Sequence, residues 1–242
     1  MAYNFLTLVN DINSRVNEVP LTSANFAAAD GFYSTAKEAV NSSIRDINQM
    51  DYKWPFNHTT YTETLVAGTM RYAYQADCKS MDYDTFRVQR DGTFGNDTQW
   101  LQRIDYNDFI KRFADDEYNT TDTGIRGLPI FITQAPSLEY LVHPAPDQAY
   151  ALDYEYYTLP VDLEAYTDAP SIPVSFRHII TDGAMYYVYY FRNDMEAAER
   201  HLAKFKEGIK AQRGIYINRY DAIRDTRVGH QSVGDNKTLR VS

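Results

Sequence analysis

One cysteine, Cys78, stands in 242 residues, so no internal disulfide can form and no cysteine-based metal site can be built. A reducing aqueous compartment suits such a chain, and the Cys78 thiol is expected to be a small, inert, partly buried side chain. The five histidines, His58, His143, His178, His201 and His230, are scattered and make no His-x-x-x-His spacing, so no metal ligands are expected. No apolar stretch approaches the roughly 18 residues needed to cross a bilayer. The N-terminal 30 residues lack the basic start and apolar run of a signal peptide. Gly-x-Ser-x-Gly, Walker-type and Gly-x-Gly-x-x-Gly signatures are missing as well, so esterase, nucleotide hydrolase and dinucleotide enzyme lack their usual marks.

Tyrosine and acid are abundant. Tyrosine accounts for 21 residues against 12 Phe and 2 Trp, a bias that fits both strand propensity and half-wet subunit interfaces. Residues 1–170 carry 12 Lys+Arg against 25 Asp+Glu, whereas residues 171–242 carry 12 against 8. A body that acidic does not grip phosphate, although it suits a channel through which DNA slides.

The apolar pattern changes period twice. Phe5, Leu8, Val9, Ile12 and Val16 lie on one helical face, which ends before Pro20. A second helix is predicted from Phe26 through Gln49, running across Gly31. At Trp54-Pro55-Phe56 the helical pattern stops and a period of two begins: strands are expected at 61–66, 70–74 and around Phe86 and Val88. A short helix with Tyr106, Phe109, Ile110 and Phe113 inward, capped by Asp105 with Asp108 completing a capping box, interrupts them. Residues 114–127 read as a surface loop. Strands follow at 128–133, 138–142 and 150–157, the last two expected to form a hairpin across Pro144-Ala145-Pro146-Asp147, with Tyr150, Leu152, Tyr154 and Tyr156 pointing one way. After Pro160, Pro170 and Pro173 the helical stripe returns with Ile172, Phe176, Ile179, Ile180, Gly183, Tyr187, Val188 and Phe191. A last helix begins at Asn193 or Asp194, with Ala198, Leu202, Phe205 and Ile209 inward; Tyr216, Tyr220 and Ile223 extend its stripe past Gly208 and Gly214. The polar residues 228–242 read as a tail that orders on a partner.

The fold class expected is α+β: an antiparallel helical bundle formed by residues 1–53 and 171–227, an inserted β-rich domain, sandwich- or barrel-like, at 54–170, and an extended tail at 228–242. The acidic run Asp115-Asp116-Glu117 and the alternating Asp153 and Glu155 are the only carboxylate groupings that resemble a sugar-hydrolysing pair; most such runs are solvated loops or strand edges. The basic residues of the C-terminal end fit docking onto an acidic protein surface.

Several stretches carry a resemblance: Ala39-Val40-Asn41-Ser42-Ser43-Ile44-Arg45-Asp46-Ile47-Asn48, Trp54-Pro55-Phe56, Thr64-Leu65-Val66-Ala67-Gly68-Thr69, Gly127-Leu128-Pro129, His143-Pro144-Ala145-Pro146-Asp147, Tyr156-Tyr157-Thr158-Leu159-Pro160 and Ile172-Pro173. In this order the chain resembles the head-to-tail adaptor family of short-tailed bacteriophages, of the tail tubular protein A type. The resemblance implies a virion structural protein, assembled in the host cytoplasm, that forms a dodecameric ring between the portal and the tail nozzle or tube. DNA passes through its lumen without specific binding, and no catalytic residue, cofactor, metal or membrane is implied. It further implies a portal-docking segment at 213–242, with Arg213, Arg219, Arg224, Arg227, Lys237 and Arg240, and a tail- or subunit-facing insert carrying Asp115, Asp116, Glu117 and Tyr118. The alternatives from other classes are a virion-associated cell-wall hydrolase and a glycan-binding module.

Overall fold

The computed structural model describes residues 3–50, 53–90, 98–118 and 125–217. The fold is mixed α+β, and the chain divides into two compact units, Met1–Phe56 with Pro160–Ser242, and Asn57–Leu159.

Among its described residues the first unit contains four α-helices: α1 (Phe5–Arg15), α2 (Phe32–Gln49), α4 (Arg177–Phe191) and α5 (Met195–Tyr216). Helix α1 starts on a reciprocal cap, in which Asn4 Oδ1 accepts the Thr7 N–H (3.0 Å) and Thr7 Oγ1 accepts the Asn4 N–H (3.1 Å). Residues from both ends of the chain then share one core: Phe5, Leu8 and Ile12 of α1, Val40, Ile44 and Ile47 of α2, Ile180 and Val188 of α4, Phe205 and Ile209 of α5. The stretch that returns from the sheets is knitted onto the N-terminal helices. Asn41 and Leu163 exchange side-chain to backbone hydrogen bonds (3.0 and 3.1 Å), and the Phe5 N–H donates to the Asp168 carbonyl (2.7 Å). Arg177 grips Asp11 with two bonds (2.7 and 2.9 Å).

Two readings of these helices need correction. Helix α2 does not cross Gly31 but starts after it, because Gly31 sits at φ +66, a conformation glycine adopts without a Cβ penalty. Phe26 therefore lies outside the helix, yet it remains buried, edge-on to Phe5 at 5.2 Å. Phe191, expected inward, is 68% exposed; it is the last residue of α4, and Asn193 at φ +60 turns the chain away immediately after it. Helix α5 is continuous through Gly208 and Gly214 to Tyr216, and its N-cap is Asp194, whose carboxylate accepts the Ala197 N–H (3.1 Å).

Among the described residues the second unit carries eight strands and helix α3 (Tyr106–Tyr118). One sheet has the order β1-β8-β3-β4 and the other β2-β7-β6-β5, with β1 at His58–Thr64, β2 at Arg71–Ala73, β3 at Cys78–Gln89, β4 at Thr98–Trp100, β5 at Gln102–Arg103, β6 at Phe131–Ala135, β7 at Glu139–His143 and β8 at Ala151–Thr158. Neither sheet closes into a barrel among the described residues. Tyr150, Leu152, Tyr154 and Tyr156 of β8 and its approach do share one buried face, and they meet Tyr72, Ile132, Tyr140 and Val142 of the other sheet in a common core. The expected β7–β8 hairpin is not formed: β7 pairs with β6 and β2, while β8 pairs with β1 and β3. Pro144 and Pro146 have no N–H to donate to a ladder, and the chain uses this stretch to change sheets. The hairpin is β6–β7 instead, turned by Ser137 and Leu138 at φ +67 and +59.

Helix α3 (Tyr106–Tyr118) is longer than its sequence pattern, so residues 114–118 are helical rather than loop. Asp105 does cap it, its carboxylate accepting the Asn107 N–H (2.8 Å). Phe109, buried with Met70, Ala135 and Leu141, seats α3 on its sheet, and Ile104, Ile110 and Phe113 pack around them.

Candidate interaction surfaces

Tyrosine supplies much of the core of the second unit. Tyr72, Tyr83, Tyr140, Tyr150, Tyr154 and Tyr156 are all buried, and each hydroxyl finds a partner, as a buried phenol requires. Tyr140 donates to Glu63, Tyr154 lies 3.4 Å from the same carboxylate, and Tyr74 and Tyr83 bond to each other. Burial pushes the Tyr140, Tyr83 and Tyr154 hydroxyls far above the ordinary phenol range, and Tyr156 up to about 12. Strand propensity and core filling thus account for these positions.

The carboxylates that resembled a hydrolytic pair are engaged by their own sheet. Asp153 is 1% exposed; it accepts from Thr62 Oγ1 (2.6 Å) and Gln89 Nε2 (2.8 Å), and Arg87 Nε stands 4.0 Å away. Glu155 faces His58 (3.3 Å) and Arg87 (3.4 Å). Among the described residues no three His, Cys, Asp or Glu side chains cluster as metal ligands would. Burial raises the Cys78 thiol to about 11, so it is held as the thiol at neutral pH.

The acidic run sits on the last turns of α3. Asp115 is exposed. Asp116 lies 3.7 Å from His143 Nδ1, and Glu117 is bonded by Arg71 (2.8 Å), which also bonds Glu139 of β7 (2.8 Å). Tyr118 is the last residue of the helix. The run therefore ties α3 to β2 and β7 through two of its carboxylates and presents the third to solvent. No local pattern pointed to Arg71, which is 46 residues away from Glu117 in sequence.

His143 is stacked on Phe113 at 3.7 Å between ring centroids. Burial lowers its pKa, and the Asp116 carboxylate opposes that shift. A histidine kept neutral in the fold contributes stability that is complete above its unfolded pKa of about 6.5 and is lost as pH falls toward the lower folded value. The unfolding free energy of His143→Phe should accordingly fall less than wild type between pH 7.5 and 5; parallel denaturation curves would contradict this.

On the basic end, Arg213 is exposed on the last turn of α5, whereas Arg219, Arg224, Arg227, Lys237 and Arg240 lie outside the described residues. Sequence patterning also did not reveal a groove between α2 and α4, lined by Thr35, Glu38, Ala39, Tyr187, Tyr190 and Phe191. Of its two exposed aromatics, Tyr190 and Phe191, the second read from sequence as core.

Charged groups committed to holding elements together, and exposed aromatic and charged faces around them, are the character of a structural or binding protein. The chain matches the family model of the SU10 adaptor protein over residues 3–229, and it belongs to that family. It is a bacteriophage adaptor, a structural component of the virion of the head-tail connector class. No curated protein matches it.

Proposed function

We propose that this adaptor forms a closed ring, of twelve copies, between the portal and the tail nozzle or tube, retaining DNA in the head and passing it during ejection without a catalytic step. The observation that carries the proposal is the family match along nearly the whole chain. Charge supports the direction of assembly. Residues 171–242, with 12 Lys+Arg against 8 Asp+Glu, are the portal side, and complementary charge there sets register and encounter rate. Arg213, Arg219, Arg224, Arg227, Lys237 and Arg240 make that contact. α1, α2, α4 and α5 act as an antiparallel bundle and the sheets as the domain that meets the tail and neighbouring copies, with Asp115, Asp116, Glu117 and Tyr118 as the tail- or subunit-facing residues. The acidic body lines a channel to which DNA does not adhere.

Electron microscopy of virions, or of the chain mixed with its portal, should show twelvefold rings beneath the portal; density elsewhere in the particle would overturn the proposal. Ending the chain after Arg227 should leave a folded protein whose portal binding is lost in a pull-down, and undiminished binding would remove the terminal segment from the contact.

A further inference from the structure

Among the described residues, the four edge strands of the second unit's two sheets are unequal. β2, β4 and β5 expose edges of three, three and two residues, and short edges are one means of preventing strand addition. β1, the remaining edge, is seven residues long, His-Thr-Thr-Tyr-Thr-Glu-Thr, and pairs with β8 in unbroken register from His58↔Tyr157 to Thr64↔Ala151. It has no proline, no lysine and no bulge, three of the devices that blunt an edge, and its one acidic residue, Glu63, has its carboxylate bonded by the Tyr140 hydroxyl.

The free groups of β1 can be assigned. The Leu65 N–H donates to the Tyr150 carbonyl (2.8 Å), which continues the β1–β8 register. Antiparallel ladders alternate bonded and non-bonded pairs, so Glu63, Tyr61 and Thr59 bond to β8, whereas Thr60, Thr62 and Thr64 direct their N–H and C=O groups away from the sheet. The Glu155 N–H, opposite Thr60, turns the other way to Thr85 Oγ1 (2.9 Å), as this assignment requires. At the far edge the Leu101 N–H donates to the Phe86 carbonyl (2.9 Å), and the same counting leaves Thr98 and Trp100 of β4 with outward groups.

We propose that in the assembled ring β4 of one copy pairs antiparallel with β1 of the next, so that the β1-β8-β3-β4 sheet continues from copy to copy. The inference rests on the ring reading above and names its interface. Strand direction carries it: β1, β8, β3 and β4 alternate, so the two edges of the sheet run in opposite directions. A neighbour placed head to tail then meets β1 with an antiparallel β4 without being turned over, as a closed heterologous ring requires. Side chains agree. Thr62 is opposite Asp153, Asp153 opposite Arg87, and Arg87 opposite Trp100, so Trp100 and the Thr60, Thr62 and Thr64 side chains share one face. Trp100 is 59% exposed; in the junction its ring covers threonine methyl groups, an aromatic to β-branched cross-strand pair.

The test uses virions and the purified chain. In virions carrying Cys78→Ser and Thr98→Cys, combined in turn with Thr60→Cys, Thr62→Cys and Thr64→Cys, mild oxidation should give a ladder of disulfide-linked multimers for at least one pair. The single cysteine variants should give none. A dimer alone, from Thr62→Cys by itself, would mean a two-fold β1–β1 contact and overturns the proposal. Hydrogen exchange needs no variant: the Thr60, Thr62 and Thr64 amides should exchange at least about tenfold more slowly in wild-type virions than in the free chain. Unchanged exchange, in particles whose micrographs show the ring, overturns the β1 junction and leaves the ring intact; particles with no ring of this chain overturn the ring reading itself.

Discussion

Trp54→Ala is expected to destabilise the helical unit by about 3–5 kcal/mol, the range for deleting a large buried aromatic. Trp54 is 1% exposed. Its ring stacks on Phe56 at 5.5 Å and meets Phe176 edge-on at 5.4 Å, and its Nε1–H donates to the Ile47 carbonyl at the end of α2 (2.9 Å). Phe176 lies in the turn that opens α4, so this one side chain joins the exit of the N-terminal helices to the entry of the C-terminal ones. Alanine removes the ring contacts and the donor together. With urea slopes of about 1–3 kcal/mol/M for small proteins, the midpoint followed by helical circular dichroism should fall by about 1 M or more. Trp100 belongs to the other unit and provides a fluorescence signal that reports on it separately. A loss under about 1 kcal/mol would mean that the cluster is not the joint between the two chain ends.

Elements of one strong period were legible, and those set by distant partners were not. α1 could be read from its apolar stripe, and α5 from a stripe that starts at a local cap, Asp194. The start of α2 was misread because the stripe continues through Phe26, a residue buried by packing on Phe5 and not by helix. The end of α3 was misread for the opposite reason. Residues 115–117 are acidic, which locally spells loop, but Arg71 and His143 from two strands hold Glu117 and Asp116 on the sheet. The exchange of hairpins around Pro144 had no local mark beyond the prolines, since β7 and β8 both read as strands and only long-range pairing assigns them to different sheets. β4 and β5, two or three residues each, fall below any periodic signal. For the candidate surfaces, residue types were visible and their engagement was not. The carboxylates of Asp153 and Glu155 looked available in sequence, whereas Thr62, Gln89, Arg87 and His58 occupy them.

Gly183 is placed by its period, but its role is set by its neighbours in space. It falls on the inward stripe of α4, where an apolar side chain is the usual occupant. An added Cβ there would stand 2.3 Å from Ser43 Oγ of α2 and 2.7 Å from the Phe205 ring of α5. Glycine at a mid-helix site normally costs about 1 kcal/mol relative to alanine, so Gly183→Ala would stabilise an isolated helix. Here overpacking of about 1–3 kcal/mol opposes that gain, and the net effect expected is a loss of stability, because neither neighbour is a flexible surface side chain. The two clashes separate experimentally. Ser43 Oγ is buried without a hydrogen-bond partner among the described residues, so Ser43→Ala alone should be neutral or slightly stabilising, and in the double variant it should recover part of the Gly183→Ala loss. Phe205→Leu should recover more of it at the cost of its own cavity, and the couplings should reach about 0.5–3 kcal/mol in double-mutant cycles. A stabilised Gly183→Ala protein, or strict additivity with Ser43→Ala and Phe205→Leu, would mean that α2, α4 and α5 do not meet as closely as the missing Cβ allows.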